Sequence, residues 1–154
     1  MPDTESSVAT ASPHISYVVA RLERAVRREI GRLVGPKGLS VAQYTTLSIL
    51  RSRSGLSNAQ LARRLWVTPQ SMNEVISALE RGGLIERVPD AGNRRILRTA
   101  LTEHGRETLE ACDSDIMAME EQMLHGVSPE LQDQLVEALE GCARRLGDHR
   151  HDAV

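Results

Sequence analysis

The stretch Thr68 to Glu80, TPQSMNEVISALE, mixes two kinds of side chain at helical spacing. Met72, Val75, Ile76 and Leu79 fall at i, i+3, i+4 and i+7, so they share one apolar face. The other side holds Gln70, Ser71, Asn73, Glu74 and Ser77, short or amide groups where an ordinary surface helix would carry Glu and Lys. Gln and Asn can bond adenine N6 and N7 together, Ser can donate or accept at several base edges, and Glu can accept from cytosine N4. Each good pair discriminates between bases by about 1 to 3 kcal/mol. This is the chemistry of major-groove readout, with Gln70, Ser71, Asn73 and Glu74 as candidate base contacts.

A second candidate lies just beyond. DAGNRR (Asp90 to Arg95) separates two β-rich runs, LIERV and ILRTAL, and reads as the tip of a hairpin. Gly92 and Asn93 permit a tight turn, and Arg94 and Arg95 at the tip can enter a narrow minor groove of concentrated negative potential. The plain alternative is a surface hairpin with two solvated arginines. Ser57, Arg63, Arg64, Thr68 and Ser77 complete the set as candidate phosphate contacts.

The elements that must position these groups can be read in order. Residues 1–11 are polar and expected as a disordered tail, and Ser12-Pro13 offers a cap and a first-turn proline. Ile15, Val18, Val19, Leu22, Val26, Ile30 and Leu33 predict a long first helix, ended by Gly35-Pro36-Lys37-Gly38. Ser40 to Gln43 and Ser57 to Gln60 both have capping-box spacing, predicting a second helix to about Arg51 and a short third one that buries Leu61 and Leu65. Thr68-Pro69 starts the fourth helix and Gly82-Gly83 stops it. Two short helices joined by a tight turn, followed by a hairpin, outline a helix-turn-helix. Farther on, Leu109, Cys112, Ile116, Met119 and Met123 repeat at 3, 4, 3, 4, a stripe suited to another helix or to the chain's own domain. Ser128-Pro129 caps a last helix with Leu131, Leu135, Leu139, Cys142 and Leu146 on one side. The fold class expected is mostly α with a small β-hairpin.

Charge follows the same division. The net charge is only -2. Yet residues 51–106 hold ten Arg against five acids, and residues 107–154 hold three Arg against twelve acids. One end suits a polyanion, and the acidic end keeps it away. Cys112 and Cys142 lack CxxC spacing and are expected to pack as small hydrophobes. The five histidines form no i, i+4 pair, and His149-x-His151 reads as tail rather than metal site. No P-loop, GxGxxG, GxSxG or HExxH pattern occurs, so neither catalysis nor a cofactor is expected. Without a long apolar run or signal peptide, the chain is expected in the cytoplasm.

The blocks LSVAQYTTLSIL, LARRLWVTPQSMNEVISALERGGLIERV and NRRILRTALTEHGRE resemble the MarR (multiple-antibiotic-resistance regulator) family of bacterial winged-helix transcription factors. The most specific part is LERGGLIER followed by a basic tip and LTxxG. Members usually carry Asp-x-Arg at the wing tip. Here Asn93 takes the Asp position, leaving Arg95 as the matching arginine, whose guanidinium the Asn93 carbonyl can orient. Glu74 stands where a basic or neutral residue is commoner. The resemblance implies a homodimer on a pseudo-palindromic double-stranded operator, usually as a repressor relieved by a small ligand or oxidant. It assigns residues 12–37 and 107–147 to dimerisation and 38–106 to the winged domain, and residues 148–154 are expected as a flexible tail. It also implies a crevice for aromatic or anionic effectors, for which Tyr17, Arg21 and Tyr44 are candidates. Two other readings stay open: a winged-helix module that grips an acidic protein, and a regulator that senses oxidants through cysteine.

Overall fold

A computed structural model describes residues 14–148. The tail assigned to residues 1–11 and the Ser12-Pro13 cap lie outside the described residues, as does His149-x-His151. The described chain falls into two compact units, one ending at Ser114 and the other beginning at Asp115.

The first unit opens with helix α1, Ile15–Val34, whose capping residue is His14. A 3-10 turn, Gly35–Lys37, follows and ends on Gly38 in the left-handed conformation, where glycine pays no steric cost. Helices α2, Val41–Ser52, and α3, Asn58–Leu65, both begin on complete capping boxes. Ser40 Oγ accepts the Gln43 N–H at 3.2 Å while Gln43 Oε1 accepts the Ser40 N–H at 2.8 Å, and Ser57 with Gln60 repeats the arrangement. Each cap stabilises its helix by about 1 kcal/mol. Helix α4, Pro69–Arg81, starts on Thr68 with proline at its first position, where a missing N–H costs no hydrogen bond. Strands β1, Ile85–Pro89, and β2, Leu97–Leu101, then pair antiparallel with Ile85 opposite Leu101 and Pro89 opposite Leu97.

Leu47, Leu50, Leu61, Met72, Ile76, Leu79 and Leu109 are completely or almost completely buried and form the core of this unit. Burying each such side chain contributes about 1.5 to 3 kcal/mol. The core therefore fixes which side of α4 looks inward. Leu65 is half-buried rather than buried, and Ala62 takes the inner place beside Leu61. A rung not anticipated from the sequence joins Leu56 to Thr99. The Gly55 N–H donates to the Thr99 carbonyl at 2.9 Å and the Thr99 N–H to the Leu56 carbonyl at 3.0 Å, so the hairpin is tied to the chain entering α3.

Helix α5, Glu103–Met123, crosses from the first unit into the second. Thr102 caps it: its hydroxyl accepts the Gly105 N–H at 3.0 Å and donates to the Gly83 carbonyl at 2.6 Å. Arg51 of α2 reaches the same helix through both carboxylate oxygens of Asp113, at 2.8 and 3.0 Å. The 3, 4, 3, 4 stripe of α5 divides. Leu109, Cys112 and Ile116 are buried in the single chain, whereas Met119 is half-buried and Met123 exposed. Its first part thus belongs to the chain's own core.

In the second unit, helix α6, Pro129–Asp148, begins on Ser128, whose hydroxyl accepts the Leu131 N–H at 3.3 Å. The helix runs through Asp148, one residue into the segment expected as a tail. Leu131, Leu135, Leu139 and Leu146 are exposed in the single chain, as are Ile15, Val18, Val19 and Leu22 of α1. Cys142, which shares that apolar side of α6, is exposed in the single chain. No helix among the described residues is long and apolar enough to cross a membrane.

Candidate nucleic-acid interface

Helix α4 separates its two faces as its spacing requires. Met72, Ile76 and Leu79 are buried and Val75 is half-buried. Gln70, Ser71, Asn73 and Glu74 are exposed, and Ser77 is half-buried. Gln70, Asn73 and Glu74 therefore present free ends to solvent. Ser71 is partly engaged, since its hydroxyl accepts from Thr68 Oγ1 at 3.0 Å while Thr68 Oγ1 accepts the Ser71 N–H at 3.1 Å. Thr68 thus serves first as a cap, its proton already given to Ser71.

The wing is built differently from the turn its glycine suggests. Gly92 does not have a positive φ, and residues 90–96 form a wide loop rather than a two-residue turn. Asp90 organises it. Its Oδ2 accepts the N–H groups of Gly92 and Asn93 at 3.0 and 3.1 Å, and its Oδ1 accepts from Arg98 Nε at 2.8 Å. Asn93 Oδ1 accepts the Arg95 backbone N–H at 3.1 Å. The expectation that this carbonyl orients the Arg95 guanidinium is corrected: a neutral amide oxygen two residues away reaches the nearer main-chain donor. Asn93 shapes the loop and leaves the Arg95 side chain to be aimed by the backbone.

Arg98 is the residue that sequence reasoning passed over. Besides Asp90, its guanidinium donates to the Gly55 carbonyl at 3.4 Å and to Gln60 Oε1 at 3.3 Å. One side chain therefore joins the wing to the capping box of α3. Nothing local in the sequence signals it, because Gln60 and Gly55 are 38 and 43 positions away. Arg87 plays a similar part on β1, bonding Glu80 of α4 through both Nε and a terminal nitrogen.

The Arg98 hydrogen bond holds the Asp90 carboxyl below its ordinary value, aided by the Asn93 and Gly92 N–H groups and opposed by burial. Because this pKa is lower folded than unfolded, the pairing stabilises the wing above the ordinary carboxylate range and is lost as pH falls through the depressed value. In an NMR titration, the Gly92 and Asn93 amide shifts should move together with a midpoint below that of an unperturbed aspartate. A midpoint at the ordinary aspartate value would show that Arg98 does not hold the loop.

A cleft of about 390 Å³ runs between the start of α3, helix α4 and the wing. Ser57, Asn73 and Arg95 all line it, so one residue from each candidate group meets there. Thr99 and Asn58 also line it, and Thr99 Oγ1 and Asn58 Oδ1 are buried without a hydrogen-bond partner among the described residues. Arg94 lies apart from this cleft, bordering a smaller hollow of about 250 Å³ with Pro89, Asp90 and Ala91. Arg63 and Arg64 are exposed at the end of α3. Among the described residues, Arg63, Arg64, Arg94 and Arg95 make no ion pair, whereas Arg51, Arg87 and Arg98 are all committed to carboxylates. The effector candidates do not share one environment: Tyr17 and Arg21 are exposed on α1, with the guanidinium 5.9 Å from the ring centre, but Tyr44 is buried.

Two short capped helices, a second helix with a free polar face and a basic hairpin define a winged helix-turn-helix. The family model that matches residues 39–97 is that of the MarR family. The HTH-type transcriptional repressor Rv2887 of Mycobacterium tuberculosis is 30% identical over 126 residues, covering 82% of this chain and 91% of that protein. Its crystal structure in complex with DNA superposes with a TM-score of 0.68 at 29% identity, over 85% of this chain and 98% of that one. The same protein has been crystallised with salicylic acid. CouR from Rhodococcus jostii RHA1, bound to p-coumaroyl-CoA, shares the fold with a TM-score of 0.76 at 23% identity, covering 84% of this chain and 91% of its own. The chain belongs to the MarR family, whose members are transcriptional regulators and not enzymes.

Proposed function

We propose that this chain is a homodimeric transcriptional repressor of the cytoplasm that binds a pseudo-palindromic duplex and is released by a small anionic aromatic ligand. The observation that carries this reading is the shared cleft, in which the exposed polar face of α4 and the unpaired Arg95 converge from two elements. Gln70, Ser71, Asn73 and Glu74 read base edges in the major groove. Arg95 enters the neighbouring minor groove, with Arg94 and Asn93 completing the wing. Ser57, Arg63, Arg64, Thr68 and Ser77 hold phosphates, which fix register without reading sequence. The relative Rv2887, crystallised with DNA and with salicylic acid, supports both the duplex and the class of effector.

Dimerisation rests on the uncovered apolar sides of α1 and α6, where Ile15 is 80% and Leu146 70% exposed. A single chain would leave these in water, and regulators of this family are dimeric. Residues 12–37 and 107–147 supply that contact, although Leu109 and Cys112 of the second stretch are spent on the chain's own core. Tyr17 and Arg21 offer a ring and a guanidinium to an aromatic acid, whereas Tyr44 is buried in the core. A ligand that shifts affinity five- to 150-fold needs a coupling of about 1 to 3 kcal/mol.

A gel-shift assay on the DNA upstream of the protein's own gene tests the reading. It predicts a sequence-specific complex that an unrelated duplex does not compete away and that salt weakens steeply. A winged module that grips acidic proteins would give no specific shift.

A further inference from the structure

We infer that Trp66 is a DNA-backbone contact, its indole covered by the deoxyribose–phosphate strand beside each half-site. The inference rests on the duplex-binding reading above and adds a residue to it. Three helix ends in this chain close by one pattern, in which a left-handed residue donates its N–H three positions back and the next residue donates five positions back. Gly38, at φ 80, does so after the 3-10 turn, with the Leu39 N–H on the Val34 carbonyl at 3.3 Å. Gly83, at φ 69, does so after α4, with the Leu84 N–H on the Leu79 carbonyl at 3.0 Å. After α3 the same seat is taken by Trp66, at φ 57, which donates to the Arg63 carbonyl at 3.3 Å while Val67 donates to Ala62 at 3.1 Å.

Among the described residues Trp66 is the only non-glycine with a positive φ. A side chain there meets a steric cost that glycine escapes, and such cost persists where the strained group is used. Trp66 is 48% exposed and the adjacent Val67 41% exposed, so a large apolar area of the pair faces solvent. The neighbours indicate what covers the pair. Arg63 and Arg64 precede it, unpaired among the described residues, and Thr68, the cap of α4, follows it. A large apolar ring set between guanidiniums and the start of a recognition helix matches an apolar sugar edge between phosphates. The surface is continuous with the groove-reading side of α4 and carries the complementary charge.

The chain contains one tryptophan, so its emission reports this position alone. Acrylamide quenching is measured on the free protein and on protein saturated with a dye-labelled random-sequence duplex at low salt, with binding followed separately by the anisotropy of the dye. The quenching constant should fall severalfold on saturation and should not vary with protein concentration in the free state. Trp66→Gly and Trp66→Asn both suit a left-handed seat, so each should keep the parent Tm or raise it. Each should also weaken binding to specific and random duplexes alike, by about tenfold, or 1.4 kcal/mol. Binding by anisotropy with unchanged quenching overturns the inference and leaves the duplex reading intact. Shielding that appears with protein concentration alone overturns it in favour of a protein contact. An anisotropy that never changes overturns both.

Discussion

Arg95→Ala should weaken binding to the operator by tenfold or more and lower the slope of log affinity against log salt by about one per half-site. The expectation follows from three observations together. Asn93 fixes the Arg95 backbone N–H, the side chain lines the cleft shared with Asn73, and no carboxylate among the described residues competes for the guanidinium. A cation so placed is available to the minor groove, where a narrow A·T segment concentrates negative potential. Because the contact reads groove width, its loss should cost more on A·T-rich flanks than on G·C-rich ones. Arg27→Ala removes the same charge from α1, where Arg27 already pairs with Glu23 at 2.6 Å, and should leave the slope unchanged. Equal slopes for Arg95→Ala and the parent protein would refute the wing's role.

Gly105→Ala should be the most damaging methyl added at any of the described glycines where a Cβ would meet another atom. A Cβ at this position would stand 2.1 Å from the Leu84 carbonyl oxygen and 3.0 Å from its carbon. Both are main-chain atoms that cannot rotate away. The same joint is held by Thr102, whose hydroxyl bonds Gly83 and whose N–H bonds the Leu84 carbonyl at 3.1 Å. Helix α5 therefore starts in direct backbone contact with the turn that ends α4. Overpacking against a fixed backbone costs about 3 kcal/mol or more, which for a chain of this size lowers Tm by roughly 10 °C. Thermal unfolding monitored by circular dichroism measures it. A variant melting within a few degrees of the parent would show that α5 shifts freely on the turn.

The LERGGLIER and LTxxG blocks meet at that joint. Gly83 closes α4 at positive φ, Thr102 caps α5, and Gly105 allows the two to touch. The sequence discloses such features wherever the cause is local. Both capping boxes, the apolar face of α4, its proline start and the positions of the two strands follow from spacings of a few residues. Features set by distant partners were not legible. The Arg98 bonds to Gln60 and Gly55, the Leu56 rung on Thr99 and the burial of Leu109 and Cys112 depend on which elements meet in space.

The candidate site divides in the same way. Exposure of Gln70, Asn73 and Glu74 was readable from the period of the helix. The construction of the wing was not, because Gly92 suggests a tight turn while Asp90, three residues before Asn93, builds the loop with its carboxylate. Trp66 at positive φ defies its own propensity and could only be seen in three dimensions.

Selection of bound fragments from a random duplex pool, using the purified protein, tests the central claim most directly. Two α4 helices related by a two-fold axis should enrich an inverted repeat whose half-sites are centred about one helical turn, 10 to 10.5 base pairs, apart. A pool that remains random, or that yields a single site without symmetry, would contradict the claim.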